Sequence, residues 1–134
     1  MTVMKLLRPE GLVRSPAFSH VAVIPPEAAT IYVGGQNAVD ANGTLVGADD
    51  IAAQTAQVMA NLKTALAAAG ASMSDLVSCT VLFVEGVDLR AAYAVAAAAF
   101  DADGEPPLVT GAMVAGLAVP GALIELSAIA AVPT

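Results

Sequence analysis

The sequence predicts an α+β domain in which one mixed sheet carries two helices on the same face. Two observations lead to this fold class. Segments with strand and helix patterns follow one another in the order strands, helix, strand, helix, two strands. Crossovers between parallel strands are right-handed almost without exception, so both helices should pack on one side of the sheet. A length of 134 residues suits a single domain over residues 1–134 with one hydrophobic core.

The first part of the chain predicts short strands separated by turns. Apolar and β-branched runs place these strands at residues 1–8, 21–24 and 30–33. The pair Gly34-Gly35 follows the third strand and allows a close approach of the backbone, which indicates either a β-bulge or a wall of a pocket. Asn42-Gly43 predicts a turn, and residues 44–46 a further brief strand.

Two helices are predicted, each opened by an aspartate. Asp49 or Asp50 caps the first helix, which ends before Gly70. Gln54 lies off its apolar stripe, which consists of Ile51, Thr55, Val58, Leu62, Leu66 and Ala69. Asp88 caps the second helix, which runs from residue 89 to about residue 100 and is closed by residues 101–104. Its predicted buried stripe is Leu89, Tyr93, Ala96 and Phe100.

Three strands complete the sheet, at residues 77–84, 108–115 and 121–132. Side chains alternate along the last strand, so its two faces can be read directly. One face is wholly apolar and holds Ala122, Ile124, Leu126, Ala128 and Ala130. The other holds Leu123, Glu125, Ser127 and Ile129. A carboxylate in such a strand lies at a sheet edge, is paired, or belongs to a site.

The strands are apolar on both faces, and the helices cover only one of them. Strands of this kind are buried on both sides. The apolar fraction is 57%, above the roughly 45–50% of ordinary domains. The sequence therefore predicts that a partner subunit covers the second face.

Charge and residue usage exclude several classes of function. The net charge is −7, and the five basic residues are dispersed, so nucleic acid is not an expected partner. One cysteine and one histidine allow no intrachain disulfide and no usual zinc site within one chain. The chain shows no signal-peptide layout and no long uncharged apolar run, so a soluble cytoplasmic protein without a membrane partner is expected.

Several segments, in their order and spacing, resemble the Rid family, also called YjgF-like. They are Ser19-His20, residues 32–36, Asn42-Gly43, the first helix with Gly70, residues 80–84, Pro106-Pro107 and residues 120–128. The resemblance implies a six-stranded sheet with two helices, the chorismate-mutase-like fold. It also implies a homotrimer with clefts between subunits. Active members of the family hydrolyse 2-imino acids or their enamine tautomers to 2-oxo acids and ammonia, without a cofactor or a metal.

The family's site residues carry over only in part. Val109 stands where active members have an arginine that binds the substrate carboxylate, and no arginine follows Arg90. The other substitutions are Phe18 for a tyrosine, Gly34 for a serine and Tyr93 for an asparagine. Gly35, Gln36 and Glu125 match the family, and the resemblance assigns the Glu125 carboxyl to the attacking water. These residues, with Thr110 beside Val109, form the predicted small-molecule cleft.

Other side chains leave alternatives open. His20 is an acid–base group of the site or an ordinary hydrogen-bonded loop residue. Cys79 is read as a small buried residue rather than a nucleophile. Tyr93 packs in the core or lines the cleft. Arg14 or Arg90 replaces the missing arginine from another position, or neither does.

Three functions fit these patterns. The first is a hydrolase acting on an imine, an enamine or a related metabolite, with altered substrate choice and little activity on 2-iminobutanoate. The second is a non-catalytic trimer that binds a metabolite. The third is a ribonuclease, which the acidic composition and the single histidine oppose.

Overall fold

The computed structural model describes residues 4–100 and 104–134. The strands are β1 Lys5–Leu7, β2 Val21–Val23, β3 Ala29–Gln36, β4 Leu76–Val84, β5 Leu108–Val114 and β6 Ile124–Val132. The helices are α1 Ile51–Ala68 and α2 Leu89–Ala98, and a single 3-10 turn, Met73–Asp75, precedes β4. The predicted α+β class and the two helices are confirmed among the described residues, whereas six strands form there and not the seven segments predicted.

The strands form two sheets rather than one. Four of them make the main sheet in the order β3-β6-β4-β5, with β4 and β5 parallel and β6 antiparallel to both of its neighbours. The antiparallel pair of β1 and β2 forms a separate ribbon. One backbone hydrogen bond links the segment before β2 to the start of β5. In it, the Ser19 N–H donates to the Pro107 carbonyl oxygen at 3.0 Å. Pro106 and Pro107 have no N–H to extend this pairing, which corrects the prediction of a single six-stranded sheet.

Some predicted boundaries shift. Of the predicted first strand, residues 5–7 form β1 and residues 1–3 lie outside the described residues, as do residues 101–103 after α2. β3 continues to Gln36 through a register shift after Val33. Residues 44–46 form no strand, only an isolated bridge between Val39 and Leu45. β6 starts at Ile124 because the chain turns at Gly121, where φ is +81°.

The predicted N-terminal cap of α1 and most of its predicted buried stripe are confirmed. Asp50 is the N-cap, and its side chain accepts a hydrogen bond from the Ala53 N–H. The side chains of Thr55, Val58, Leu62 and Leu66 are buried, whereas Ala69 lies past the helix end and is exposed. Gln54 was predicted to lie off the stripe, and this was wrong because the residue is completely buried. Backbone partners satisfy its amide, as described below, which makes its burial inexpensive.

Helix α2 turns a different face to the interior than its pattern predicted. Leu89 and Tyr93 are 43% and 54% exposed, whereas Ala92 is only 1% exposed. The helix packs against α1 more closely than against the sheet. A small residue fits this close helix–helix contact, so Ala92 is buried and the larger residues point elsewhere.

Strand β6 separates the two faces of the main sheet as its alternation predicted. Ile124, Leu126, Ala128 and Ala130 are buried under the helices, and the residues between them are only half-buried until Ala131. The register extends the uncovered face to neighbouring strands. We call this the open face; it includes Tyr32, Ser78, Thr80, Leu82, Thr110, Glu125, Ser127 and Ile129. Tyr32 is 78% exposed there, so nothing described in this chain covers it.

Candidate functional site

A cavity of about 730 Å³ lies between α2 and the main sheet. We call it the α2 cavity. The sheet side consists of Cys79, Val81, Phe83, Val109, Gly111, Ile124 and Leu126. The helices contribute Thr55, Met59, Leu89, Ala92, Tyr93, Ala96, Ala97, Ala98 and Phe100. Residues 16–18 and 104–107 complete the lining at one side.

The cavity exists because small residues occupy positions that face it. Four alanines of the α2 region line it and extend no further than Cβ. Gly111 of β5 has no side chain at all, and a Cβ built there would meet only the Val81 carbonyl oxygen, at 4.0 Å. The space between helix and sheet is therefore left unfilled by the side chains around it.

Hydrogen bonds hold the rim of the cavity together. The Ser19 side-chain hydroxyl donates to the Pro106 carbonyl oxygen at 2.6 Å, beside the bond from its N–H to Pro107. The Arg8 guanidinium forms an ion pair with Glu105 and donates to the Ser15 carbonyl oxygen at 3.2 Å. These contacts tie residues 15–19 to residues 105–107, and they place Phe18 at the rim.

Three of the predicted cleft residues meet at this cavity. Phe18, Tyr93 and Val109 all line it, although they lie far apart in sequence. Tyr93 and Val109 are 54% and 44% exposed, so they border its opening rather than its interior. Tyr93 therefore lines the opening of the α2 cavity and does not pack in the core.

The remaining predicted residues meet on the open face. A Cβ built on Gly35 would lie 3.0 Å from both Cδ and Oε2 of Glu125, so the carboxylate packs directly on the Gly35 backbone. The register shift between Val33 and Gln36 shows that this segment is also a bulge, which is the structural reading of the glycine pair. Gly34 has nothing within 4 Å of a built Cβ. The Gln36 side-chain amide donates to the Gly34 carbonyl oxygen at 3.1 Å.

Two asparagines that sequence reasoning missed fix the bulge against β6. The Asn37 side chain donates to the Ile124 carbonyl oxygen at 3.2 Å, next to Glu125. The Asn61 side chain on α1 donates to the carbonyl oxygens of Asn37 and Val39 at 3.0 and 2.9 Å. An asparagine beside the apolar stripe of a helix is a weak signal, because its partners depend on a segment 22 or more residues away.

Neither a sheet edge nor a partner within the described chain explains Glu125. It is not at a sheet edge, because β6 lies between β3 and β4. It is not paired within residues 4–100 and 104–134, where no group donates a hydrogen bond to its carboxylate and Arg8–Glu105 is the ion pair seen. A functional site or a partner subunit therefore remains.

The two groups of predicted residues face opposite sides of the sheet. Val109 is paired with Cys79 on the helix side, whereas Glu125 is paired with Leu82 on the open face. Thr110 is paired with Thr80 and also belongs to the open face. One chain thus carries two predicted half-sites, one at the rim of the α2 cavity and one around Glu125.

His20 serves the loop before β2. Its Nε2 lies 2.7 Å from the Val13 carbonyl oxygen, and because a carbonyl only accepts, Nε2–H is the donor. The ring also contacts Phe18 edge-on, with centroids 5.3 Å apart. These contacts fit the interpretation of His20 as a hydrogen-bonded loop residue and not as a residue of the site.

Cys79 and the arginines show no sign of catalytic use. Burial raises the pKa of the Cys79 thiol to about 11, so the thiol is neutral and a poor nucleophile at neutral pH. Arg14 and Arg90 are exposed and do not line the α2 cavity. Sequence reasoning did not consider Arg8, whose partner Glu105 is part of the lining.

Searches for metal and membrane features gave negative results over the described part of the chain. Among residues 4–100 and 104–134, no three side chains of histidine, cysteine, aspartate or glutamate come together as a metal-binding group. Within the same ranges, neither helix has the length and apolar character needed to cross a bilayer.

Comparison with known proteins gives consistent matches. The family model described as Endoribonuclease L-PSP matches residues 12–132. The crystal structure of YyfB from Yersinia pestis, described as a protein of unknown function of the conserved Rid family, is 34% identical over 97% of this chain and 99% of that chain, with a TM-score of 0.86. RidA from an Antarctic Psychrobacter species is 25% identical over 94% of each chain, with a TM-score of 0.69. The yeast protein YEO7 is 26% identical over 96% of this chain and 98% of that one, with a TM-score of 0.70.

Proposed function

Since this chain belongs to the endoribonuclease L-PSP family, also called the Rid or YjgF-like family, we propose that it is a cofactor-independent hydrolase of an imine, an enamine or a related small metabolite. The observation that carries this proposal is the state of Glu125. Its carboxylate lies in the central strand β6, is packed on Gly35, and has no hydrogen-bond donor among the described residues. A carboxylate placed in this way is free to hold a water molecule and to accept its proton.

The reaction follows from this role. Water adds to the imine carbon, a C–O bond forms, and the electrons of the C=N double bond move to nitrogen. Glu125 takes the proton of the water and returns it to the nitrogen. Glu125 then takes the hydroxyl proton of the tetrahedral intermediate and passes it to the amine nitrogen. The C=O bond forms, the C–N bond breaks, and ammonia leaves with the carbonyl product. An enamine enters the same path after tautomerising to the imine.

The two half-sites come together if a partner subunit supplies one of them. A cyclic homotrimer joins two different patches of the same chain at each interface. The open face presents the exposed Tyr32, and the rim of the α2 cavity presents the exposed Leu89, Tyr93 and Val109. We infer that the open face of one subunit covers the rim of the next, which would bring Glu125 of the partner subunit to the opening of the cavity.

Substrate choice follows from the missing positive charge. None of the five basic residues of the chain is among the residues that line the α2 cavity. Arg8 is the closest through its contacts, but Glu105 already neutralises it. A substrate that is anchored by its carboxylate would find no charge-assisted partner here. Activity on 2-iminobutanoate should therefore be very weak.

The decisive experiment measures imine hydrolysis with and without the carboxyl. Imines are generated in situ by amino-acid or amine oxidases, and the protein's acceleration of ammonia release is followed for a panel of substrates. Glu125→Gln should abolish the acceleration, whereas Glu85→Gln, at an exposed position outside the cavity lining, should leave it unchanged. Full acceleration by Glu125→Gln would contradict the proposal.

The missing arginine can be tested by adding it. Val109→Arg should raise the rate on 2-iminobutanoate by about 30-fold or more, because a desolvated bidentate pair contributes roughly 2–5 kcal/mol. Val23→Arg is the matched control, since Val23 is 50% exposed and does not line the cavity. Equal rates for wild type and Val109→Arg would mean that position 109 does not face the substrate.

The same proteins and substrates distinguish two other functions. A non-catalytic metabolite-binding trimer would bind members of the panel without turnover by wild type. The description of the family model favours a ribonuclease, whereas the net charge of −7 opposes RNA binding. Incubation with single-stranded RNA should therefore give no cleavage, and cleavage abolished by Glu125→Gln would replace the hydrolase proposal.

A further inference from the structure

We propose that the α2 cavity binds the uncharged apolar side chain of the substrate, so that the protein acts on imines or enamines bearing a bulky branched or aromatic group. That the bound group belongs to a substrate rests on the proposed function. The binding of an apolar group beneath α2 does not, because none of the residues that form the cavity takes part in the proposed chemistry.

The lining makes the inside of the cavity neutral. Its deep part is formed by side chains without charge: Met59, Cys79, Val81, Ala96, Ile124 and Leu126. The Thr55 hydroxyl already donates to the Ile51 carbonyl oxygen at 2.8 Å. Among the residues that the structure describes, Glu105 is the one acidic residue in the lining, and it is paired with Arg8 at the rim. A charged group placed inside would lose its hydration and find no partner, so only a neutral apolar group is suited to this space.

The size of the cavity exceeds what packing defects leave. Protein interiors contain few voids larger than a water molecule. The volume of about 730 Å³ falls within the roughly 300–1,000 Å³ of small-molecule pockets. Apolar cavities tend to stay dry and to accept apolar ligands such as benzene.

The opening of the cavity lies where the proposed chemistry would need it. Phe18, Tyr93 and Val109 border the opening, and the proposed trimer brings Glu125 of the partner subunit to the same place. A substrate would then keep its imine carbon at the rim and extend its side chain beneath α2. The alanines of α2 and Gly111 would set the length and width of the group that fits.

The binding step is tested with a matched pair of probes on the assembled protein. N-phenyl-1-naphthylamine is neutral, and 8-anilino-1-naphthalenesulfonate has the same ring system with an added sulfonate. The neutral probe should bind saturably, at one site per chain, with a fluorescence increase. The anionic probe should bind at least tenfold more weakly, and equal affinities would overturn the claim of a neutral interior.

Cavity-filling variants locate the site. Ala96→Phe, in the lining, should weaken binding of the neutral probe tenfold or more. Ala94→Phe is the matched control, because Ala94 is exposed on the same helix and does not line the cavity. Gly111→Val is the second filling variant and serves if Ala96→Phe does not fold, since a Cβ at Gly111 meets no close neighbour. Unchanged binding in both filling variants, or equal losses in Ala94→Phe, would overturn the proposal.

Turnover separates this inference from the proposed function. A flavin-dependent amine oxidase makes the imines of 2-phenylethylamine, 3-methylbutylamine and ethylamine. The protein should hydrolyse the first two faster than the imine of ethylamine, and Ala96→Phe should remove this preference. Glu125→Gln should bind the neutral probe as wild type does. Probe binding without hydrolysis of any imine would refute the proposed function and leave the apolar site. Hydrolysis with no preference for bulky imines and no effect of Ala96→Phe would refute the apolar subsite alone.

Discussion

At the scale of single residues, burial decides what Cys79 can do. A lone cysteine invites a catalytic reading, yet this one is 3% exposed. Burial disfavours the thiolate and raises the pKa of the Cys79 thiol from 9.0 to about 11. The residue therefore behaves as a small apolar group of the cavity wall.

This shift predicts a loss of stability at high pH. Above pH 9 the unfolded thiol loses its proton while the folded thiol keeps it until about pH 11, so the unfolded state binds fewer protons and the free energy of unfolding falls. Two pKa units correspond to a loss of roughly 2–3 kcal/mol across this range. Chemical unfolding should be measured for wild type and Cys79→Ala from pH 8 to 11. The free energy of unfolding of wild type, relative to that of Cys79→Ala, should fall by this amount over the range. Parallel curves would mean that the thiol titrates normally in the folded protein.

Gly35 gives a second prediction at this scale. In Gly35→Ala the new Cβ would lie about 3.0 Å from the Glu125 carboxylate, which must then move by a few tenths of an ångström. Because the end of a flexible side chain moves easily, we expect a change in unfolding free energy within about 1 kcal/mol. The rate of imine hydrolysis should fall about tenfold or more, since small misplacements of catalytic groups are costly.

Gly116→Ala is the control for this substitution, because nothing lies within 4 Å of a Cβ at Gly116 and its φ is not positive. Both its stability and its activity should match wild type. A fully active Gly35→Ala protein would show that the contact between Gly35 and Glu125 does not position the carboxylate.

At the scale of elements, one buried side chain connects α1 to the loop before β6. The Gln54 amide donates to the carbonyl oxygens of Gly47 and Gly121 at 3.2 and 3.0 Å, and its carbonyl oxygen accepts from the Leu123 N–H at 2.8 Å. The start of β6, and hence the position of Glu125, depends on this link. The residue acts on the site only through the segment it holds.

Gln54→Leu should therefore be strongly destabilising. Leucine has a volume similar to that of glutamine, but it leaves three backbone groups without a hydrogen-bond partner. This loss should lower the free energy of unfolding by about 2–4 kcal/mol. Gln57→Leu, at a half-buried position on the same helix, removes a single side-chain bond to Asn61 and should cost less than about 1 kcal/mol. Urea unfolding at one protein concentration compares the two variants. Similar small losses in both would show that Gln54 is not the link described.

At the scale of the whole molecule, the open face and the rim of the α2 cavity are two exposed surfaces with different side chains. Tyr32 is the most exposed large side chain of the open face, at 78%, whereas Leu89, Tyr93 and Val109 are exposed at the rim. Because the two surfaces differ, a closed ring such as the proposed trimer would cover each of them once per interface.

The proposed trimer predicts the effect of a charge on the open face. Tyr32→Lys should bury an unpaired ammonium at each interface, so light scattering at micromolar concentration should shift from trimer mass toward monomer mass. Ala60→Lys, at an exposed position of α1 on the helix side, should remain a trimer. Monomeric wild type, or trimeric Tyr32→Lys, would contradict the arrangement.

The sequence by itself determined the features that depend on near neighbours. The alternation in β6, the Asp50 cap of α1 and the order of the elements all follow from short-range periodicity and local hydrogen bonds. These patterns also singled out Glu125 as a carboxylate that needed an explanation. Gly35 was marked for the same reason, because a glycine pair after a strand has few local uses.

Only the tertiary structure decided how distant segments meet. The burial of Gln54 depends on two loops elsewhere in the chain, and the face that α2 buries depends on its contact with α1. The α2 cavity arises from small residues on a helix and on two strands, none of which predicts a space alone. The register of β4 with its two neighbours puts Val109 and Glu125 on opposite sides of the sheet. Strand register is set by contacts across the whole core, so no local pattern could show that the predicted site residues lie on two faces of the sheet.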